Sequence, residues 1–269
     1  MSVRCSIAAL CLSVTAFLGH ANDLPLTQEE MLSTLFVETI AIPSPGEFFS
    51  ALDKECQPNW AQFVSAPMAA PTADREFIAI QLGILMTDGY IAVQARDAQA
   101  LRNTGIDILT LAKKLNASQN LLARSQSIGD FTDKEDWHTL REELDASQND
   151  VRLALIEQMD YNLVTLAATA AWVRQMGVAA KILESNYKPA PSSLLVQPAL
   201  AGHFLARLRS LPERNRNSPI VQQFITGIEF CLLQMEFASA SFMAKPSVEK
   251  IAATMTGLSL LAFAPPAKP

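Results

Sequence analysis

The sequence predicts an all-α protein, an irregular multi-helix bundle or a stack of helical hairpins, behind a cleaved N-terminal signal peptide. Three observations predict it. Apolar residues recur three and four apart, with no run of strict alternation. Helix-start signatures recur along the chain. Residues 1–21 have the layout of a secretory leader.

The leader begins with a short basic stretch carrying Arg4. An apolar run over 5–18 follows, too short to span a bilayer comfortably. Gly19 and Ala21 supply the small residues that a signal peptidase reads. Cleavage after Ala21 leaves 248 residues beginning at Asn22. A lipid anchor does not fit: Leu10 precedes Cys11 where a small residue is needed, and Cys5 lies too near the start. The mature chain is expected to be exported, periplasmic or extracellular, with one helical domain over 22–263 and a proline-rich tail over 264–269.

The elements follow in order. Thr27-Gln-Glu-Glu30 is a capping box opening a helix over 27–41, and Ile42-Pro-Ser-Pro-Gly46 breaks it. A helix over 46–55 comes next. Pro58, Pro67 and Pro71 then bound a longer connection around Trp60 and Phe63. The helix over 73–97 carries two apolar rows, Phe77, Ile80, Ile84 and Ile91 on one and Ile78, Leu82, Leu85 and Val93 on the other. A helix apolar on two sides belongs inside the bundle. Helices over 98–114 and 117–126 follow, the second opened near Asn116-Ala-Ser-Gln119. Thr132-Asp-Lys-Glu135 reads as a capping box for a helix over 133–159. The helix over 161–185 is apolar nearly all round between 163 and 173. Ala167, Ala168, Ala170 and Ala171 keep it thin enough for close packing. Prolines at 189, 191 and 212 punctuate the rest into helices over 193–210, 219–243 and 247–261. Ser218-Pro219 places a cap before a proline at the first helical position. The apolar runs over 163–173 and 251–264 fall short of the ~20 residues of a membrane span.

One internal similarity stands out. Residues 110–120 match residues 139–149 at seven of eleven positions, with an offset of 29. No third copy exists, so the pair reads as a local duplication or chance.

Charge and composition exclude some functions. The net charge is −6, and −7 once Arg4 leaves with the leader. No run of Lys or Arg appears, and phosphate binding needs a basic face, so nucleic acid is not expected as a partner. The sequence holds no Gly-rich phosphate loop, no Gly-x-Ser-x-Gly and no His-Glu-x-x-His. Beyond the leader only His138 and His203 remain for histidine chemistry, and no cofactor is expected.

Cys56 and Cys231 remain after cleavage. In an oxidising compartment they are a candidate disulfide, worth about 3–5 kcal/mol for so long a loop. The other reading is two separate thiols, and the apolar run around Cys231 suits a buried one.

Three groups of residues invite chemistry. Glu135-x-x-His138, with Glu142 one turn on, has the spacing of a bundle-type metal half-site. A second Glu-x-x-His is missing, because Leu200 stands three before His203. The stretch reads better as an acidic helix N-terminus with an ordinary His138–Glu142 pair. Asp88 is the second case. It sits between Gly83 and Gly89 on an apolar helix and needs a partner, with Arg96, Arg102, Tyr90 or a ligand as options. Trp172, on the thin helix, is the third. Asp88, Tyr90 and Trp172 are therefore the candidate ligand-binding residues.

The leading functional expectation is an exported, non-catalytic helical binding or scaffold protein, with an unknown protein or small-molecule partner. The alternative is a helical pocket protein for a small apolar or amphipathic ligand. A third is a metal- or carboxylate-dependent hydrolase using Glu135, His138 and Glu142.

Overall fold

The computed structural model describes residues 44–65, 72–236, 238 and 242–264. The expected leader over 1–21, the helix expected over 27–41 and residues 265–269 lie outside them. The described residues belong to one compact unit, Ile42–Pro269.

Every regular element among them is helical. Helix α1 (Pro45–Cys56) opens with a full capping box. The Ser44 hydroxyl accepts from the Glu47 amide, and the Glu47 carboxylate accepts from the Ser44 amide, each at 3.2 Å. A 3₁₀ turn, Trp60–Phe63, follows. Helix α2 (Arg75–Ala95) is capped by Asp74 and α3 (Ala98–Lys114) by Asp97. Next come α4 (Gln119–Asp133), α5 (Trp137–Glu157) and α6 (Tyr161–Ser185). The short α7 (Pro189–Ser192) runs into a 3₁₀ turn, Ser193–Leu195. Helices α8 (Pro198–Arg209), α9 (Glu213–Arg216), α10 (Pro219–Glu236) and α11 (Lys245–Leu261) complete the fold. This is the all-α, multi-helix arrangement that the sequence predicts.

Helix α6 is the centre, with α2 and α11 packed along it. Helices α3 and α5 lie on α2, α4 lies on α5, and α10 joins α8 and α11. Helix α2 is buried without interruption from residue 78 to residue 93. It comes into backbone contact with α6 at Gly83, where a Cβ would stand 2.0 Å from the Ala167 carbonyl oxygen. The alanines of α6 permit this backbone-to-backbone contact. Buried polar side chains find carbonyl partners along this helix, although the Gln81 Oε1 has none. Thr87 donates to the Ala171 carbonyl at 3.2 Å, and Gln81 donates to the Ala262 carbonyl at 2.8 Å. By length and composition α2 and α6 are apolar enough to cross a bilayer. Their apolar windows are 89% and 78% buried in the fold, as core helices are.

Several helix boundaries differ from the sequence reading. The range 193–210 divides into the 3₁₀ turn Ser193–Leu195 and α8, which starts at Pro198, and the helix expected over 219–243 ends at Glu236. Helix α4 continues to Asp133, and α5 starts only at Trp137. Thr132 is no N-cap: it lies in the last turn of α4 and donates to the Ile128 carbonyl at 2.6 Å. Asp136 caps α5 instead, accepting from the amide and the hydroxyl of Thr139. Those bonds hold the Asp136 carboxyl below its usual range. The repeated segment is not a structural repeat. Residues 110–120 cross the α3–α4 turn, whereas 139–149 are helical throughout.

The Cys56–Cys231 bridge is not formed; both thiols are free. Cys56 ends α1, half-buried. Cys231 is buried on α10, its thiol bonded to Thr254 of α11. Each is committed to a different part of the bundle, so the candidate disulfide is absent and the reading of two separate thiols describes the structure.

Candidate functional site

Asp88 faces α6. Arg174 Nε donates to Asp88 Oδ1 at 2.7 Å, and Arg174 Nη2 reaches the Ser65 hydroxyl at 2.7 Å and the Phe63 carbonyl at 3.1 Å. Arg96, Arg102 and Tyr90, the side chains expected from the sequence, are not the partners; Arg174 is. Burial pushes the Asp88 carboxyl up from its ordinary range, and Arg174 opposes that push. Tyr90 lies two residues on, about 200° around the helix. Its hydroxyl donates to Asp145 of α5 at 2.6 Å, and burial raises its pKa far above the usual phenol range. Trp172 donates from Nε1 to Gln197 at 2.9 Å and packs on Phe204 with ring centroids 5.2 Å apart. The three residues therefore point to three separate internal partners. None of the three lines the clefts described below.

Glu135 sits in the turn before α5 at φ 55°, two residues outside the helix that carries His138. The Glu-x-x-His spacing is thus not expressed on one helical face. His138 is 77% exposed, with Nδ1 3.8 Å from Glu142. A wide polar cleft of about 540 Å³ does collect His138, Glu142 and Asp145 with Glu47 and Arg141, but Glu135 does not line it. Among the described residues no group of three His, Cys, Asp or Glu side chains is placed to hold a metal ion.

The best-formed site lies where the sequence drew no attention. Helices α2, α3, α4 and α5 enclose an apolar cleft of about 300 Å³. Helix α2 contributes Met86 and Gly89. Helix α3 contributes Leu101, Thr104, Gly105, Ile106 and Ile108, and α5 contributes Leu144 and Ser147. Helix α4 closes it with Leu121, Ser125, Ile128, Gly129 and Thr132, residues that recur on one face of the helix.

The cleft exists because α4 packs chiefly on α5 and touches α3 only lightly. The glycines on the two facing helices mark the gap. A Cβ at Gly105 or Gly129 would meet nothing within 4 Å, the opposite of Gly83. Helix α4 also presents Ser125, Gly129 and Thr132 where a core-facing helix usually presents large aliphatics. That stripe of small residues was the available sequence signal.

Chemically the cleft is an apolar surface. Among the described residues its only ionisable lining residue is Arg102, half-exposed and already donating to Asp133 at the end of α4. The floor residues Leu101, Ile108, Leu121 and Leu144 are buried beneath it. The Ser147 hydroxyl is 3% exposed and has no hydrogen-bond partner. The chain matches no family model, no curated protein and no solved structure.

Proposed function

We propose that this is an exported, non-catalytic helical binding protein that holds a small apolar molecule in the cleft between α2, α3, α4 and α5. The observation that carries the reading is the cleft itself, about 300 Å³ of space with aliphatic walls. Ligand sites of this size are typically concave and apolar, with few polar groups to fix orientation. The secretory layout of residues 1–21 supports export. The binding site moves away from Asp88, Tyr90 and Trp172, which are engaged within the core. The hydrolase reading gains nothing from a Glu135 that stands off the helix of His138.

The test is a fluorescence titration with N-phenyl-1-naphthylamine, a neutral apolar dye. The expected result is a saturable enhancement at one dye per chain, lost in Gly129→Leu and Gly105→Leu, which place a side chain in the open gap. A non-saturable signal, or one indifferent to both substitutions in folded protein, sinks the reading. Export is tested separately by the N-terminal residue of the secreted chain, expected to be Asn22.

A further inference from the structure

We propose that α4 is a lid: the cleft is open between α3 and α4, and an apolar occupant draws α4 towards α3 so that the two helices close over it. The proposal rests on the pocket reading above and adds how that pocket opens and shuts.

Helix α4 is the least embedded of the helices that line the cleft. Of its fifteen residues only Leu121 and Thr132 are buried, whereas α2 is buried from residue 78 to residue 93. Little apolar surface fixes where α4 sits, and elements of that kind are the ones that move. A left-handed residue stands just before it and another just after it, Asn116 at φ 59° and Glu135 at φ 55°. Helix α4 is therefore jointed to α3 and α5 rather than continuous with either, and joints of this sort absorb the rotation of a lid.

Polar bonds hold it in place. Arg124 donates to Glu143 at 3.2 Å and to Asp150 at 2.5 Å, two turns apart on α5. Those bonds make α5 the pivot. At the C-terminal end of α4, Asp133 reaches Arg102 of α3, with side chains 71% and 43% exposed. A pair so exposed contributes little, so it tethers α4 without locking it.

The gap lies on the α3 side of the pivot. A Cβ at Gly105 of α3 or Gly129 of α4 would meet nothing within 4 Å, whereas at Gly83 backbone already occupies that space. Glycines allow two helices to approach closely; α2 and α6 have done so, and α3 and α4 have not. Ile106, on the cleft wall, is 64% exposed. An apolar ligand supplies contacts to both walls and takes this side chain out of water when the lid shuts. It thus binds the closed form more tightly, which is the condition for shifting the balance towards it.

The experiment measures the distance between nitroxide labels on α3 and α4 by pulsed electron paramagnetic resonance. The labels go on Asn103→Cys and Gln126→Cys, exposed positions that do not line the cleft, in a Cys56→Ser background with Cys231 left buried. Saturation with N-phenyl-1-naphthylamine is expected to shorten the distance by about 2 Å or more, the scale of a true rearrangement on binding. A control pair, Asn103→Cys with Glu142→Cys on α5, should not change. Gly105→Ala combined with Gly129→Ala puts methyl groups in the path of closure. This double variant should still bind the dye but release it roughly threefold faster or more in stopped flow, because lost contacts show mainly in dissociation. Alanine favours a helix, so the fold should survive. A distance that stays the same or grows in saturated protein, an equal change in the control pair, or an unchanged release rate in the double variant overturns the lid while the pocket reading stands. Failure of the wild-type protein to bind the dye at all overturns both.

Discussion

Arg174 and Asp88 form an ion pair across the α2–α6 seam, with Nε and Oδ1 2.7 Å apart and Asp88 only 6% exposed. The pair is more than a local contact. Through Phe63 and Ser65 the same guanidinium fastens the segment after the 3₁₀ turn onto the core. That turn is itself pinned, because Trp60 Nε1 donates to Asp53 at 2.7 Å and its ring packs edge-on against Phe49. Arg174 therefore joins three stretches of chain that are far apart in sequence.

Removing one partner of this pair strands the other in the core. Asp88→Ala is expected to cost about 3–5 kcal/mol, the range for an uncompensated buried charge. The double change Asp88→Leu with Arg174→Met removes both charges and should recover most of that loss. Urea denaturation followed by circular dichroism measures all three proteins. A single variant losing under about 1 kcal/mol would show that the pair is hydrated or dispensable. The folded double variant should still bind the naphthylamine dye, because Asp88 does not line the cleft.

Glycines on two faces of the bundle predict opposite signs. Gly83→Ala forces a methyl group towards the Ala167 carbonyl oxygen, which is backbone and cannot swing away. Although alanine is the better helix former, a loss of about 3 kcal/mol or more is expected. Gly129→Ala meets no atom within 4 Å, so the propensity gain of about 0.5–1 kcal/mol should appear undiminished. Midpoints from the same urea titration rank the two. Equal effects would mean that α2 and α6 are not in backbone contact.

The free thiols differ in burial and should differ in reactivity. Burial pushes Cys231 up to about 12, whereas Cys56 is only half-buried at the end of α1. The thiolate is the reactive form, so raising the pKa lowers its population at a given pH. Iodoacetamide at pH 8, with peptide mapping, should alkylate Cys56 in the native protein and Cys231 only after denaturation. Native alkylation of Cys231 at the rate of Cys56 contradicts its burial. A peptide joining the two contradicts the free state of both.

Much of the fold was legible because the helices advertise their starts. The ranges 98–114 and 161–185 are met by α3 and α6 at both ends. Helix α2 was recognisable as central from its two apolar rows. The N-terminus of α5 misled because Thr132 and Glu135 mimic a capping box whose two halves the chain divides between α4 and the following turn. The site was less legible. Asp88 announced a buried partner, but Arg174 lies 86 residues away and no local pattern selects it. The cleft is a space left by residues that are small, and hydrophobic periodicity reports only what is filled.

The helix ends were hidden for a related reason, which gives a final prediction. Gln57, Arg96, Asn116, Glu135 and Met159 all adopt left-handed φ between 47° and 59° just after a helix, and no glycine in the described residues does. Glycine at that position is the usual sign of a helix stop, so five stops carried no signal. Left-handed backbone costs an L-residue roughly 1–2 kcal/mol relative to glycine. Met159 is 62% exposed, so replacing it removes little buried surface. Met159→Gly should therefore stabilise the α5–α6 turn by about 0.5–1 kcal/mol, part of the gain being offset by the greater freedom of glycine in the unfolded chain. Met159→Ala keeps the Cβ and should show no such gain. A thermal unfolding comparison of the two variants isolates the backbone effect, and a destabilised Met159→Gly would show that residue 159 is not left-handed in solution.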